Sequence, residues 1–205
     1  MKRIPALLIA LATLATTACS PPPVPDVTYF RLPPPVVLPH SDRPLSLLPI
    51  EVDTFSAEGV YTEQALIYAV APNEDALHTY HYQLWSDPPT HALQTRLVGM
   101  LRDSGIAALV TDRLPASTQA LRIHGTIRRY ERINRGEGHV VAVRLEMRVE
   151  QDEREPIIEQ DYSAEVPTAD ATMDATVRAF GGAVDQAFSK FHGDLVALKG
   201  DAHAR

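Results

Sequence analysis

The chain has 205 residues, 45% of them hydrophobic and 22% charged, and its formal net charge is -7 at pH 7. This length and apolar fraction exclude a disordered chain and predict a domain with a sizeable core. The acidity argues against a nucleic-acid partner, because phosphate binding requires clustered Lys and Arg. The single cysteine excludes an internal disulfide and any cysteine-cluster metal site.

The first twenty residues have the pattern of an export signal. Lys2 and Arg3 precede an apolar run from Ile4 to Ala15, and small residues then lead to Cys19. A positive start, about 7–15 apolar residues and a small-residue cleavage site are typical of a secretory signal peptide. The run is too short for a transmembrane helix, which needs about 20 apolar residues. We therefore predict that residues 1–18 are a signal peptide.

Cys19 follows Ala18 directly at the end of this signal. That junction resembles the lipobox of bacterial lipoproteins, in which the cysteine is acylated, with palmitate among its chains, and becomes the N-terminus. The resemblance implies lipidation of Cys19, and two or more acyl chains give stable membrane anchoring. Ser20 favours the outer membrane, with the domain facing the periplasm. A plain secretory signal that happens to end at a cysteine is the alternative.

Prolines dominate the residues after Cys19. Four of them lie between residues 21 and 25, and such segments form extended, semi-rigid spacers. A second proline-rich stretch runs from residue 33 to residue 39, after a short strand predicted over Val27 to Leu32. We therefore predict a lipidated cysteine and proline-rich tether over residues 19–44, one domain over residues 45–199 and a polar tail over residues 200–205.

The domain is predicted to be α+β, with an antiparallel-rich sheet and two helices packed on one face. Alternating apolar residues mark the strands. The predicted strands are Leu45 to Val52, broken at Pro49, then Leu66 to Val70 and Leu77 to Trp85 around a turn, then a hairpin of Leu121 to Ile133 with His139 to Glu150, and a third neighbour from Ile158 to Val166.

Two segments have the helical period instead. Leucines and a methionine share one face between Thr90 and Ser104. A second helix is predicted to begin at Asp170 as N-cap, with apolar residues recurring every three or four positions to Leu195. Gly181 and Gly182 interrupt it and indicate close packing against the sheet or a kink.

Side chains that could perform catalysis form no recognisable set. The chain has no G-x-S-x-G, Walker, G-x-G-x-x-G or H-E-x-x-H motif. His124 and His139 lie on opposite arms of the predicted hairpin and could face each other, but both are assigned to the solvent side with the charged residues. We therefore predict no enzyme activity, no metal site and no cofactor.

Two further features allow a structural or a partner-binding interpretation. Four arginines near the hairpin tip form a basic stretch that could dock an acidic partner, although a solvated face is favoured. Trp85, the only tryptophan, precedes the first helix and is expected in the core rather than as an exposed partner anchor. The four arginines are Arg128, Arg129, Arg132 and Arg135.

The order of these parts resembles one family. After the lipobox and tether come a Tyr-Phe-Arg-Leu strand, a Leu-Ile-Tyr strand, and a strand that ends at a Trp-Ser-Asp-Pro-Pro junction before a leucine-rich helix. This pattern is similar to the ABC-type transport auxiliary lipoproteins, a family that includes the paraquat-inducible lipoprotein. The matching positions are Tyr29, Leu32, Tyr68, Trp85 and Pro88.

The resemblance implies a non-enzymatic accessory of an MCE-type ABC transport system that moves phospholipid or another hydrophobic ligand across the envelope. Its partners would be a permease, an ATPase and a periplasmic MCE-domain protein, and a homo-oligomer is possible. The five motif residues would be structural, and no catalytic residue is implied. The alternative function is an assembly or chaperone lipoprotein for an unrelated outer-membrane complex; a periplasmic hydrolase has the least support.

Overall fold

The structure is a computed structural model that describes residues 24–41, 44, 46–151 and 155–202, with side chains up to residue 198 in the last helix. The predicted signal peptide, Cys19 and the first proline run lie outside the described residues. No helix within the described ranges has both the length and the apolarity that crossing a membrane requires.

The described part of the chain forms nine strands, a short 3-10 helix over Gly59–Thr62 and two α-helices. In chain order these are β1 (Thr28–Phe30), β2 (Ile50–Val52), β3 (Ser56–Ala57), β4 (Ala65–Val70), β5 (Asn73–Trp85), α1 (Pro89–Asp103), β6 (Val110–Thr111), β7 (Leu121–Arg135), β8 (Gly138–Gln151), β9 (Ile158–Pro167) and α2 (Met173–Ala202).

The long hairpin of β7 and β8 is the spine of the sheet. One side of β7 pairs with β8 along its whole length, and β8 then pairs with β9. The other side of β7 receives β2, β3 and β4 in succession. Strands β6, β5 and β1 extend the sheet beyond β2 and β4. The resulting mixed sheet curls into a half-barrel.

The prediction of an antiparallel-rich sheet is wrong. Five of the eight strand pairings in the described residues are parallel, including every pairing of β1, β2, β3 and β6. The three antiparallel pairings are the long hairpins and β9, which alternation predicts well. Parallel neighbours are far apart along the chain, so the alternation within one strand does not indicate which strand pairs with it.

The inner face of the sheet and both helices share one apolar cluster. In α1, Leu93, Leu97 and Leu101 are fully buried, as the helical period predicts. The α2 face that the sequence predicts is also buried, with Phe180 and Phe188 inaccessible to solvent. The α+β class and the two helices are thereby confirmed.

The start of α2 differs from the prediction. The helix begins at Met173, and the cap is Thr172, whose Oγ1 accepts a hydrogen bond from the Ala175 N–H at 3.1 Å. Asp170 was the predicted N-cap, but its Oδ1 accepts from the Thr172 N–H at 2.8 Å instead. Asp170 and Thr172 are both residue types that cap helices, and the sequence does not indicate which of them is the cap.

Candidate functional site

Residues 33–41 cross both helices, and we name this segment the strap. The Pro33 carbonyl accepts a hydrogen bond from Arg96 Nη1 of α1 at 2.6 Å, and the Val36 N–H donates to Asp185 Oδ2 of α2 at 3.1 Å. Arg96 Nε also donates to Asp185 Oδ1 at 2.8 Å, and both side chains are buried. One ion pair therefore joins the two helices and the strap.

The far end of the strap follows the end of α1. The Leu38 side chain is buried, His40 Nδ1 lies 2.9 Å from the Asp103 carbonyl oxygen, and the Ser41 N–H donates to the Ser104 carbonyl at 2.8 Å. The second proline-rich stretch is thus packed on the domain rather than extended away from it. The domain boundary at residue 45 stays a prediction.

Gly181 of α2 provides the space that the strap occupies. A Cβ at this position would lie 2.5 Å from Pro33 Cγ and 2.8 Å from Pro33 Cδ, which is closer than van der Waals contact allows. The expected close packing is present at Gly181, where it is against the strap and not the sheet, whereas a Cβ at Gly182 would make an ordinary contact with Val166 at 3.9 Å. The helix runs unbroken through both glycines.

We expect Gly181→Ala to destabilise the domain, although alanine favours a helix over glycine by about 1 kcal/mol. The proline ring cannot move aside without displacing the strap, and overpacking costs about 1–3 kcal/mol. Gly193→Ala in the same helix is the matched control, because nothing lies within 4 Å of its Cβ. Urea unfolding should show a loss for the first variant and a gain for the second; a gain for both would mean that the strap is loosely packed.

A cleft of about 520 Å³ lies between the strap and α1. Its walls are mostly apolar and include Leu32, Pro34, Ala92 and Gly99, while Arg31 and other polar side chains line the rest. The cleft is open on one side, and its polar lining includes Ser86, whose Oγ donates a hydrogen bond to Asp87 Oδ2 at 3.0 Å. Its mostly apolar lining suits contact with an apolar segment.

The five motif residues occupy different layers of the structure. Trp85 lies in the core, 4% exposed, against Phe180. Leu32 is half-buried against the same core, whereas Tyr29 on edge strand β1 is 62% exposed. Tyr68 stacks on other aromatic rings of β5, and the Pro88 carbonyl accepts from the first N–H groups of α1. Their structural role stays a prediction; the structure does not bring them into one site.

The histidine prediction is corrected in two respects. His124 lies on the outer face of β7, where its ring nitrogens contact Asp53 Oδ2 at 2.8 Å and Glu150 Oε1 at 3.1 Å. His139 pairs with Asn134, far along the hairpin from His124, so the two cannot face each other. His139 also points to the same face of β8 as the buried Val141, two residues further along the strand, so the solvent-side assignment is wrong for His139.

The basic stretch does not form one solvated face. Arg128 pairs with Glu146, Arg129 and Arg135 share Glu74, and Arg132 is buried. Three of the four charges are thus neutralised within the domain, and little remains for an acidic partner. A β-bulge between Ile127 and Arg129 shifts the strand register and places Arg132 on the inner face.

Sequence reasoning missed the ion pair of Arg96 and Asp185. A signal was present, because each lies within the apolar spacing of its helix: Arg96 beside Leu97, and Asp185 beside Val184. A charge on a buried helix face needs a partner of opposite sign. In the described ranges, no group of three or more His, Cys, Asp or Glu side chains is placed to hold a metal ion.

Solved structures share this fold. Protein XCC0632 from Xanthomonas campestris, from family DUF330, is 20% identical with a TM-score of 0.72, covering 86% of this chain and 99% of that one. The hypothetical protein CT253 from Chlamydia trachomatis is 8% identical with a TM-score of 0.52, covering 75% and 98%. These likenesses concern the fold alone. No curated protein matches the chain.

The family is identified by sequence. The profile of the ABC-type transport auxiliary lipoprotein component matches residues 30–190, which include the strap, both helices except the end of α2, and all nine strands except the first two residues of β1. The chain therefore belongs to this family and is an auxiliary lipoprotein component of an ABC-type transport system.

Proposed function

We propose that acylated Cys19 anchors the protein in the outer membrane, where its domain faces the periplasm and docks to an MCE-type ABC transport system. That system moves phospholipid or another hydrophobic ligand. The observation that carries the proposal is the family match over residues 30–190 in a chain whose first 19 residues have a lipobox signal. The domain acts by binding its partners and not by catalysis.

Two exposed leucines, Leu47 and Leu109, suggest where the partner docks. Leu47 is 98% exposed and Leu109 is 49% exposed. They lie on neighbouring segments, because Ser46 pairs with Ala107 and the Ile50 N–H donates to the Leu109 carbonyl. We name these two side chains the leucine edge. Exposed apolar side chains on adjoining segments can contribute to a contiguous apolar patch, and such patches mark interaction sites.

Strand directions support a leucine edge that faces away from the membrane. Leu47 and Leu109 precede β2 and β6, at the end of the sheet where β7 begins. Strand β1 runs antiparallel to β7, so its N-terminal end points toward the other end of the sheet. An anchored domain would therefore present the leucine edge to the periplasm, where an MCE-domain protein is expected.

Photo-crosslinking in cells tests this function. A photoreactive residue at Leu47 should crosslink to an MCE-domain protein, and the permease and ATPase should copurify. The same residue at Glu159, exposed on the outer face of β9, is the matched control and should not crosslink. Crosslinks from Leu47 to an outer-membrane assembly complex, without transporter subunits, would support the alternative function and contradict this one.

Anchoring has its own expected result. Cys19→Ala should abolish the lipid-modified mass and release the protein from the membrane fraction, because no helix of the described residues can replace the acyl chains. Ser20→Ala, which keeps the cysteine, should stay acylated and membrane-bound. Mass spectrometry and membrane fractionation check both variants. A Cys19→Ala protein that keeps a lipid-modified mass would contradict the assignment of the anchor.

A further inference from the structure

The inner face of the half-barrel changes character near the tip of the β7–β8 hairpin. Up to Tyr130 its residues on β7 are apolar or glycine, but the next two positions of the same face are Arg132 and Asn134. On β8 the face begins with His139, directly opposite Asn134. Three polar side chains therefore replace the core at this end.

These three side chains hold buried atoms without partners. Arg132 Nε, Asn134 Oδ1 and His139 Nδ1 are inaccessible to solvent and make no hydrogen bond to any described residue. The fourth described atom of this kind, Arg96 Nη2, lies 2.7 Å from Asp185 Oδ1 and is neutralised by that ion pair. Buried polar atoms are nearly always bonded, so a cluster of three indicates a ligand or solvent site.

Arg132 brings a positive charge without a counter-charge. It is 6% exposed, and no carboxylate of the described residues lies within 4.0 Å of its guanidinium. Its Nη2 donates to the Ala171 carbonyl at a long 3.3 Å. The nearby Asp170 carboxylate is held by Thr172. A buried cation in this state is unfavourable unless an anion joins it.

The surroundings of Arg132 are aromatic and electropositive. Tyr68 pairs with Arg132 across the strands, and the Tyr68 ring lies 4.5 Å from that of Tyr80. Burial lowers the pKa of His139, and the charge of Arg132 lowers it further; in the strand register, Arg132 lies opposite Val141, two residues along β8 from His139. Ala171 immediately precedes Thr172, the cap of α2, and the N-terminal N–H groups of that helix add positive potential.

We propose that Arg132, Asn134 and His139 form a binding site for a phosphate ester. The guanidinium supplies charge and N–H donors, and the imidazole can supply another donor. The Asn134 Oδ1 accepts a hydrogen bond from a hydroxyl or ammonium group beside the phosphate. A phosphate monoester offers three terminal oxygens, and a diester offers two terminal and two ester oxygens, in tetrahedral directions that suit donors from several strands, whereas a carboxylate offers two oxygens in one plane.

The place of the site suits a ligand near the membrane. It lies at the end of the sheet toward which the N-terminal end of β1 points, opposite the leucine edge. Both a lipid headgroup and a soluble phosphate ester carry the required chemistry. The inference needs none of the partners proposed above, because the isolated protein can be assayed.

The test is titration calorimetry of the full-length protein in a non-ionic detergent. We expect saturable binding of glycerol 3-phosphate, weakened at least about 10-fold by Arg132→Gln, since a charge-assisted hydrogen bond is lost. His139→Phe should weaken it several-fold and keeps the test valid if Arg132→Gln does not fold. Arg144→Gln, an exposed arginine of the same hairpin, is the matched control and should bind as the parent does.

A lipid probe identifies the source of the phosphate. Tighter binding of dihexanoyl phosphatidylglycerol than of glycerol 3-phosphate would support a headgroup ligand, and the reverse would support a soluble ester. Failure of both probes to bind, or equal affinity for glycerate, would overturn the proposal. Undiminished binding by folded Arg132→Gln would overturn it as well. None of these outcomes bears on the crosslinks from Leu47, so the two proposals fail separately.

Discussion

Replacing Asp185 with alanine is expected to lower the free energy of unfolding by about 3–5 kcal/mol. The Arg96 guanidinium would stay buried without its carboxylate, and the Val36 N–H would lose its acceptor. The strap would therefore detach from α2 while its hydrogen bond from Arg96 to Pro33 is also weakened. Urea unfolding followed by circular dichroism measures the loss.

Asp161→Ala is the matched control for this variant. Asp161 pairs with Arg144 on the outer face, where the two side chains are 36% and 55% exposed, so its removal should cost less than about 1 kcal/mol. The double variant Arg96→Met with Asp185→Leu should recover much of the loss, because apolar replacement of a buried ion pair is often neutral. Equal losses for Asp185→Ala and Asp161→Ala would show that the pair does not hold the helices together.

Phe180→Ala should lower the free energy of unfolding by about 3–5 kcal/mol through the cavity it leaves. The Phe180 ring is fully buried, 5.1 Å from the Trp85 ring and 4.6 Å from the Tyr130 ring. Because Trp85 is the only tryptophan, its fluorescence reports directly on this cavity. We expect a red shift of the emission together with the loss of stability.

Leu47→Ala is the matched control for the core variant, since the Leu47 side chain is 98% exposed. It should change the free energy of unfolding by less than about 0.5 kcal/mol. Tryptophan emission should not move. A Phe180→Ala protein with parental stability and emission would contradict the placement of Trp85 against α2.

The elements whose residues pair locally could be predicted from the sequence. Apolar and polar residues alternate along the β7–β8 hairpin on either side of the bulge near Ile127, and α1 and α2 have apolar residues at helical spacing; the hairpin and α1 lie within two residues of their predicted bounds. Their signals lie within about fifteen residues of chain. Hydrophobic periodicity detects patterns of this length well.

The elements that depend on distant contacts could not be predicted. Strands β2, β3 and β6 have three residues or fewer, and each is stabilised by a parallel neighbour from elsewhere in the chain. The strap has no periodicity at all, and its prolines suggested a tether. The position of Asp185 within an apolar helix face was the sequence signal that α2 contacts a polar group of another segment.

The polar end of the half-barrel lay between these two cases. His139 has the same parity as Val141, so alternation indicates the inner face, and the prediction of a solvent-side histidine overlooked this. The inward position of Arg132 could not be predicted, because it depends on the bulge near Ile127 and no residue type in the sequence indicates that bulge. The role of Cys19 and the identity of the partners rest on the sequence and remain predictions.

The strap also sets an order of events for the newly made chain. Val36 and Asp185, which share a hydrogen bond, are separated by 149 residues. At about 5–20 residues per second, synthesis leaves Val36 waiting roughly 7–30 s for its acceptor. The strap is synthesised early and thus cannot complete its contacts until most of the domain has been made. Until α2 is complete, residues 33–41 are free to contact proteins that bind the newly made chain.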